Sequence, residues 1–218
     1  MLGTCAMELN AFSRVHQTHA EILAGSILML SRMFEIRDPH THGHQVRVAQ
    51  LAVAIGRELG LDNDSLTGLQ YGAQVHDVGK IGVPVEMLTT SRRLSAFEMA
   101  IIRTHPVIGR DILNGMTFPW PIAEIVAQHH ERMDGSGYPA GLKGDEITYE
   151  ARIVAVADVA EAITHHRPYR VGLGLDAALS EISQNSGVLY DSQAVDACIR
   201  IFERANGQFW ASEGASSR

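Results

Sequence analysis

Val75-His76-Asp77-Val78-Gly79-Lys80 sets an imidazole and a carboxylate side by side, with a glycine and an ammonium just after them. A His-Asp doublet alone is weak evidence. Its weight comes from His44 upstream, from His105, His129 and His130 downstream, and from Asp158 inside an apolar stretch. Imidazoles and carboxylates are the donors that hold borderline and hard divalent metals. Eleven histidines are present and nine fall between His40 and His166, a clustering that a solvated surface does not need and a polynuclear metal site does. Asp158 is flanked by Val156, Ala157, Val159 and Ala160, where a charge is costly unless it is paired, metal-bound or on the helix's single wet face. One cation could take His44, His76, Asp77 and Asp158. Asp77, with two oxygens, could bridge to a second cation held by His105, His129 and His130. Two such ions can share a hydroxide that is nucleophilic at neutral pH, and can neutralise a phosphodiester and its leaving oxygen. Lys80, one helical turn beyond Asp77, is placed to touch a phosphate or help the leaving group. Asp77 and Lys80 are therefore the candidate catalytic pair. A single histidine is more often a packed or surface residue than a ligand. Seven ligand-type residues beside helix ends and turn signals are harder to set aside.

The elements that must position these residues are helices. From Glu8 to Phe34 the apolar residues recur at three- and four-residue steps, the pattern of an amphipathic helix. It fits simple packing, and also the end of a connector from a preceding domain. Pro39 breaks it, and a new helix runs to Leu59 with Val46, Val48, Leu51, Ala52 and Ile55 as its apolar face and Gly60 closing it. Asn63 or Asp64 caps the next helix, which delivers His76 and Asp77 near its end. Gly79, Gly82 and Pro84 read as a loop. Ser95 caps a helix through Arg103, His105-Pro106 begins one through Leu113, and Pro121–His130 is again helical. Glu131–Glu146 carries Gly135, Gly137, Gly141, Gly144 and Pro139 and reads as a long ordered loop, of the kind that is usually functional. Glu150–His165 is a strongly apolar helix with Asp158 in its middle, and helices at about Leu175–Gln184 and Ser192–Arg204 close the fold. Strand-type alternation is nearly absent, so the expected class is all-α. The expected division is 1–34 as N-terminal helix or connector, 35–208 as the catalytic domain and 209–218 as a disordered tail.

With 218 residues and 45% apolar content, the chain can bury a sizeable core. No apolar run approaches membrane-spanning length, and Ile22–Leu30 is too short and too far inside for a standard signal peptide. Cys5 and Cys198 make no disulfide framework, which points to a reducing cytoplasm. A net charge of −7 makes the chain a poor general binder of DNA or RNA polymers, so cations at the site must supply the field for a phosphate substrate.

The motifs resemble those of the HD-GYP family, a branch of the HD-domain metal-dependent phosphohydrolases. The matching segments are Arg37-Asp38-Pro39-His40-Thr41-His42-Gly43-His44 continuing to Val48, then His76-Asp77-Val78-Gly79-Lys80-Ile81, then His105-Pro106-Val107-Ile108-Gly109. They continue with His129-His130-Glu131-Arg132-Met133-Asp134-Gly135-Ser136-Gly137-Tyr138-Pro139, Ala151 to Asp158, and Arg167-Pro168-Tyr169-Arg170. The resemblance covers roughly residues 30–205, and its long loop motif is very specific. It implies an HD-domain helical bundle and a phosphodiesterase that opens cyclic di-GMP to pGpG and sometimes to GMP. It also implies a binuclear centre of iron, manganese or a similar divalent metal such as magnesium or nickel. It assigns His44, His76, Asp77 and Asp158 to one metal and Asp77, His105, His129 and His130 to the other. Lys80, Tyr138, Arg167 and Arg170 match positions that hold the dinucleotide phosphates or shape the pocket. Signalling proteins such as diguanylate cyclases are the implied partners, with no membrane.

Within the loop, Gly135 and Gly137 would let backbone approach a ligand closely. Three departures from the family pattern matter. One subset of the family has a glutamate at the position of His40 that supports a third metal. With His40 here, two metals are expected, a third using His40 or His42 being the alternative. Ala160-Glu161 replaces a common bulky-residue-then-aspartate pair, which keeps an acidic group behind the ligands and loosens the packing. His165-His166 stands where many members have Ser-Asp, and a surface position at a helix end is expected for it. Competing functions are hydrolysis of another phosphate ester, such as cyclic GMP-AMP or a linear nucleotide, and a module that senses a cyclic dinucleotide without turnover.

Overall fold

In the computed structural model the described residues are 21–33, 43–90, 92–165 and 172–210. Among them there is no strand, only an isolated bridge between Ser186 and Tyr190, so the all-α expectation holds. Helix α1 occupies residues 21–33. It is followed by α2 (His44–Glu58), α3 (Asn63–Val75), a 3₁₀ turn (Val78–Gly82), α4 (Val85–Leu88) and α5 (Ala96–Ile102). Then come α6 (His105–Leu113), α7 (Ile122–Gln128), a 3₁₀ turn (Gly144–Glu146), α8 (Tyr149–Thr164), α9 (Leu175–Gln184) and α10 (Ser192–Arg204).

The sequence reads α2 well except at Val46. Val48, Leu51, Ala52 and Ile55 are fully buried, whereas Val46 is 42% exposed. Two residues of helix turn a side chain to roughly the opposite face, so Val46 and Val48 cannot share a core. The cap of α3 is Asp62, whose carboxylate accepts the Ser65 amide at 2.8 Å, rather than Asn63 or Asp64. Ser95 caps α5 as expected, in a reciprocal pairing with Glu98. The segment read as a loop after Asp77 is instead a 3₁₀ turn followed by the short helix α4.

Two apolar clusters hold the helices. The larger joins α2, α3, α8, α9 and α10 through residues such as Leu51, Ile55, Leu69, Ile153, Ile182 and Phe202. The smaller joins α1, α3, α6 and α7 through Ile27, Val75, Leu113, Ile122 and Val126. Each fully buried aliphatic side chain of this kind contributes about 1.5–3 kcal/mol. The expected tail began at residue 209, but Phe209 and Trp210 pack against the larger cluster, their rings meeting Phe202 edge-on and tilted. The rest of that stretch lies outside the described residues, as do His40, His42, His166, Arg167 and Arg170.

One close approach matters for the site. A Cβ on Gly79 would collide with the His105 carbonyl and the Gly109 amide, and one on Gly109 would meet Val126 and the Gly79 amide. The 3₁₀ turn after Asp77 therefore rests backbone-to-backbone on the first turns of α6.

Candidate metal centre

Five helices bring their ends or middles to one point. His44 opens α2, His76 caps the C-terminus of α3 and Asp77 follows it, His105 opens α6, His129 caps α7 with His130 after it, and Asp158 sits in the middle of α8. His44, His76, Asp77, His105, His129 and Asp158 are all buried, and His130 is partly so. Donor atoms of Asp77, His105, His129 and His130 lie within 4.8 Å of one another, as do those of His44, His76 and Asp77. Asp158 closes the second group, with Oδ1 3.2 Å from His44 Nε2 and 3.9 Å from His76 Nε2. The structure thus brings together all seven side chains that the sequence singled out as ligands.

Hydrogen bonding fixes which nitrogen of each ring faces inward. Nδ1–H of His76, His105 and His129 donates to the carbonyls of Ala73, Ile102 and Val126 at 2.7, 2.8 and 2.8 Å. A carbonyl only accepts, so these Nδ1 atoms carry the proton and, in the neutral rings, Nε2 presents a bare lone pair. His105 Nε2 and His129 Nε2 face each other at 3.3 Å, and Asp77 Oδ1 is 3.3 Å from the first and 4.0 Å from the second. The buried Nε2 of His76 has no hydrogen-bond partner among the described residues. Lone pairs aimed at lone pairs and at a carboxylate repel unless a cation stands between them. This donor set fits divalent metal ions.

The electrostatics agree. Burial pushes His105 down to about 4 and His130 to about 3, and burial with the neighbouring imidazoles holds His129 well below its ordinary value. Those rings stay neutral, the form in which a histidine ligates. Burial works against ionisation of Asp77, but the Lys80 ammonium beside it holds its carboxyl well below the usual range. Asp158 is likewise opposed by burial and held well below that range, chiefly through its hydrogen bond with His44. His44 is the exception among the rings. Burial lowers it, but Asp158 and Glu161 together raise it to about 9.

Glu161 gains a role beyond the expected acidic group behind the ligands. Fully buried on α8, one turn past Asp158, it accepts from His44 Nδ1 and from Arg47, whose Nε is 2.7 Å from Oε1. A ligand histidine that donates its other nitrogen to a carboxylate is held in one tautomer and orientation. His165, expected at the surface, is only partly exposed and places Nδ1 3.3 Å from Glu161 Oε1.

Lys80 Nζ lies 2.5 Å from Asp77 Oδ2. Tyr138 stacks on His130 with centroids 4.7 Å apart, and the Arg103 guanidinium lies 5.2 Å from its ring. Burial raises the Tyr138 hydroxyl above its ordinary value. The loop that carries Tyr138 is anchored by a residue whose part the sequence did not disclose. The buried carboxylate of Glu131 accepts the amides of Ala140, Gly141 and Leu142 at 2.7, 3.2 and 3.1 Å. Gly135 and Gly137 both stand where the loop packs tightly on itself. A Cβ on Gly135 would strike the Lys143 side chain, and one on Gly137 the backbone of Glu131 and Arg132.

A family model described as the HD domain matches residues 28–194. The cyclic di-GMP phosphodiesterase response regulator RpfG of Xanthomonas campestris pv. campestris is 38% identical over 206 residues, which is 92% of this chain and 53% of that protein. A cyclic di-GMP phosphodiesterase of Thermotoga maritima is 41% identical over 175 residues, 79% of this chain and 48% of that one. This chain thus spans about half the length of both relatives. Among solved structures, a Vibrio cholerae cyclic GMP-AMP specific phosphodiesterase shares the fold with a TM-score of 0.63 and 21% identity, over 85% of this chain and 50% of that one. No helix among the described residues is long and apolar enough to cross a membrane.

Proposed function

The chain belongs to the HD-domain family, and from that premise we propose that it is a metal-dependent phosphodiesterase that opens cyclic di-GMP to pGpG. One observation carries the proposal. Bare imidazole nitrogens from three helices converge on Asp77 with no proton to share between them. Two relatives that match most of the chain are named cyclic di-GMP phosphodiesterases. The HD-GYP motifs of the sequence point the same way.

His44, His76, Asp77 and Asp158 would hold one ion and Asp77, His105, His129 and His130 the other, with iron or manganese as the first choice. When bound, such ions make water nucleophilic at neutral pH and neutralise charge on a phosphodiester. The chain's own residues do the rest. Asp77 joins the two groups because its oxygens face opposite sets of rings, Oδ1 toward His105 and His129 and Oδ2 toward His76. Lys80 places an ammonium at the edge of this pair, where it would bind a phosphate oxygen or give a proton to the leaving oxygen. Tyr138, held on His130 by the Glu131-anchored loop, would wall the pocket. Arg167 and Arg170 would supply further cationic contacts to the dinucleotide.

Residues 35–208 would form the catalytic domain, working in the cytoplasm alongside enzymes that make cyclic di-GMP, such as diguanylate cyclases. A second substrate, cyclic GMP-AMP, is supported by one observation, a relative from Vibrio cholerae named 3'3'-cGAMP-specific phosphodiesterase 1 that is 34% identical over 83% of this chain. The deciding experiment loads the purified chain with Mn²⁺ or Fe²⁺ and offers cyclic di-GMP and cyclic GMP-AMP in parallel, with product identification and metal quantification. About two ions per chain and faster linearisation of cyclic di-GMP are expected. Binding without turnover under every metal would replace this proposal with a sensor.

A further inference from the structure

The Glu161 carboxylate that orients His44 is itself approached by two further side chains. Arg47 reaches it from α2, with Nη2 2.6 Å and Nε 2.7 Å from Oε1. His165, at the end of α8, places Nδ1 3.3 Å from the same oxygen and 3.3 Å from the Glu161 backbone carbonyl. Trp210, beyond α10, touches both of these supports. Its ring meets His165 edge-on with centroids 4.6 Å apart, and its Nε1–H donates to the Arg47 carbonyl at 3.3 Å. Trp210 in turn packs on Phe202 and Phe209 at 5.1 and 5.8 Å, which ties it to the larger core cluster. What Trp210 adds is a hydrogen bond to α2 beside the arginine and a ring wall against the histidine.

We propose that the segment after α10 is a positioning element for the metal centre: Trp210 seats His165 and Arg47 around Glu161, and Glu161 thereby fixes the ring of His44. The inference rests on the metal-centre proposal above and concerns only its His44 side. Each contact in the series is side chain on side chain or side chain on backbone, so loosening the outermost one widens the range of orientations open to the innermost. Trp210 touches no ligand. A change there should therefore weaken ion binding without altering the donor set.

The test is Mn²⁺ binding to the full chain by calorimetry, read together with the melting temperature of the metal-free protein. Trp210→Ala should weaken the ion on the His44 side about tenfold, the scale on which partners behind ligands act, and leave the other ion unchanged. Phe209→Ala removes one neighbour of Trp210 while Trp210 keeps its own contacts to His165 and the Arg47 carbonyl. It should lower the melting temperature and weaken the ion on the His44 side by far less than Trp210→Ala does. Should Trp210→Ala fail to fold, His165→Ala reads the same connection from a partly exposed position, with the same selective loss expected. Wild-type affinity for both ions in a folded Trp210→Ala or His165→Ala chain overturns the inference. A wild-type chain that takes up no ion overturns the metal-centre proposal and this one with it.

Discussion

The ligands around Asp77 are supported in two ways. His76 beside Oδ2, and His105 and His129 beside Oδ1, each donate Nδ1–H to the carbonyl three residues earlier, in the last turn of a helix. Helix ends leave such carbonyls without an intrahelical partner, so a histidine placed there is oriented by its own neighbourhood. His44, by contrast, opens α2 after a left-handed Gly43, and its Nδ1 pairs with a carboxylate 117 residues away. Short-range support makes three ligands autonomous. Long-range support makes the fourth depend on α8, on Arg47 and on the residues beyond α10.

The largest effect should come from the residue common to both sides. Asp77 faces the rings of each group, so Asp77→Ala should lose both ions and reduce turnover by roughly three orders of magnitude. Retention of two ions per chain by elemental analysis would break the comparison at its centre. Next is Lys80, which contacts Asp77 without belonging to either ring set. Lys80→Ala should cut kcat about 100-fold with metal content unchanged, the scale of a single proton donor. Loss of metal instead would make Lys80 a structural partner of Asp77.

Glu161→Ala tests the long-range side alone. It should weaken one ion by about 10–100-fold in a titration while the other stays at wild-type affinity. Equal weakening of both would mean that the two sides are not independently supported. At Gly43 the backbone φ is +72°, and a Cβ would press on the Arg47 guanidinium. Gly43→Ala should cost about 1 kcal/mol in chemical denaturation, and with it some of the His44 affinity, whereas unchanged stability would show that the left-handed start of α2 is not strained by a side chain.

The smallest effect lies away from the site and calibrates the others. Glu58 is held down to about 2 by Arg204 and Arg200, from an ordinary value of 4.5. A depressed carboxylate stabilises the fold above its ordinary value, and that contribution fades as pH falls from about 4.5 toward 2. Glu58→Gln should therefore flatten the acid arm of the melting curve slightly and leave metal binding alone. An acid arm identical to wild type would show that this exposed pair contributes nothing.

The same contrast explains what the sequence disclosed. Helix α2, the capping of α5 and the ends that deliver His76, His105 and His129 follow from local pattern, and these were legible. So was Asp158, because a carboxylate inside an apolar helix demands a partner. The Asp62 cap was missed by one residue, since Asp62, Asn63 and Asp64 are all competent caps and only the backbone of Asp62 is extended. Glu131 reads as one more acidic residue in a polar loop until the loop folds back and offers it three amides. Glu161 could be recognised as an acidic group near the ligands. Its supports Arg47, His165 and Trp210 are brought together only by tertiary packing, for which one chain carries no local signal.

Gly79 lying against His105 and Gly109 has a consequence for cation choice. Main chain touching main chain is a spacer with no rotamers to exchange, so the gap from Asp77 to His105 cannot breathe to suit a larger or smaller radius. Any accommodation must come from His44, whose mooring is made of side chains. Size discrimination would then be strict on one flank of the aspartate and lenient on the other, and the two berths could favour different elements.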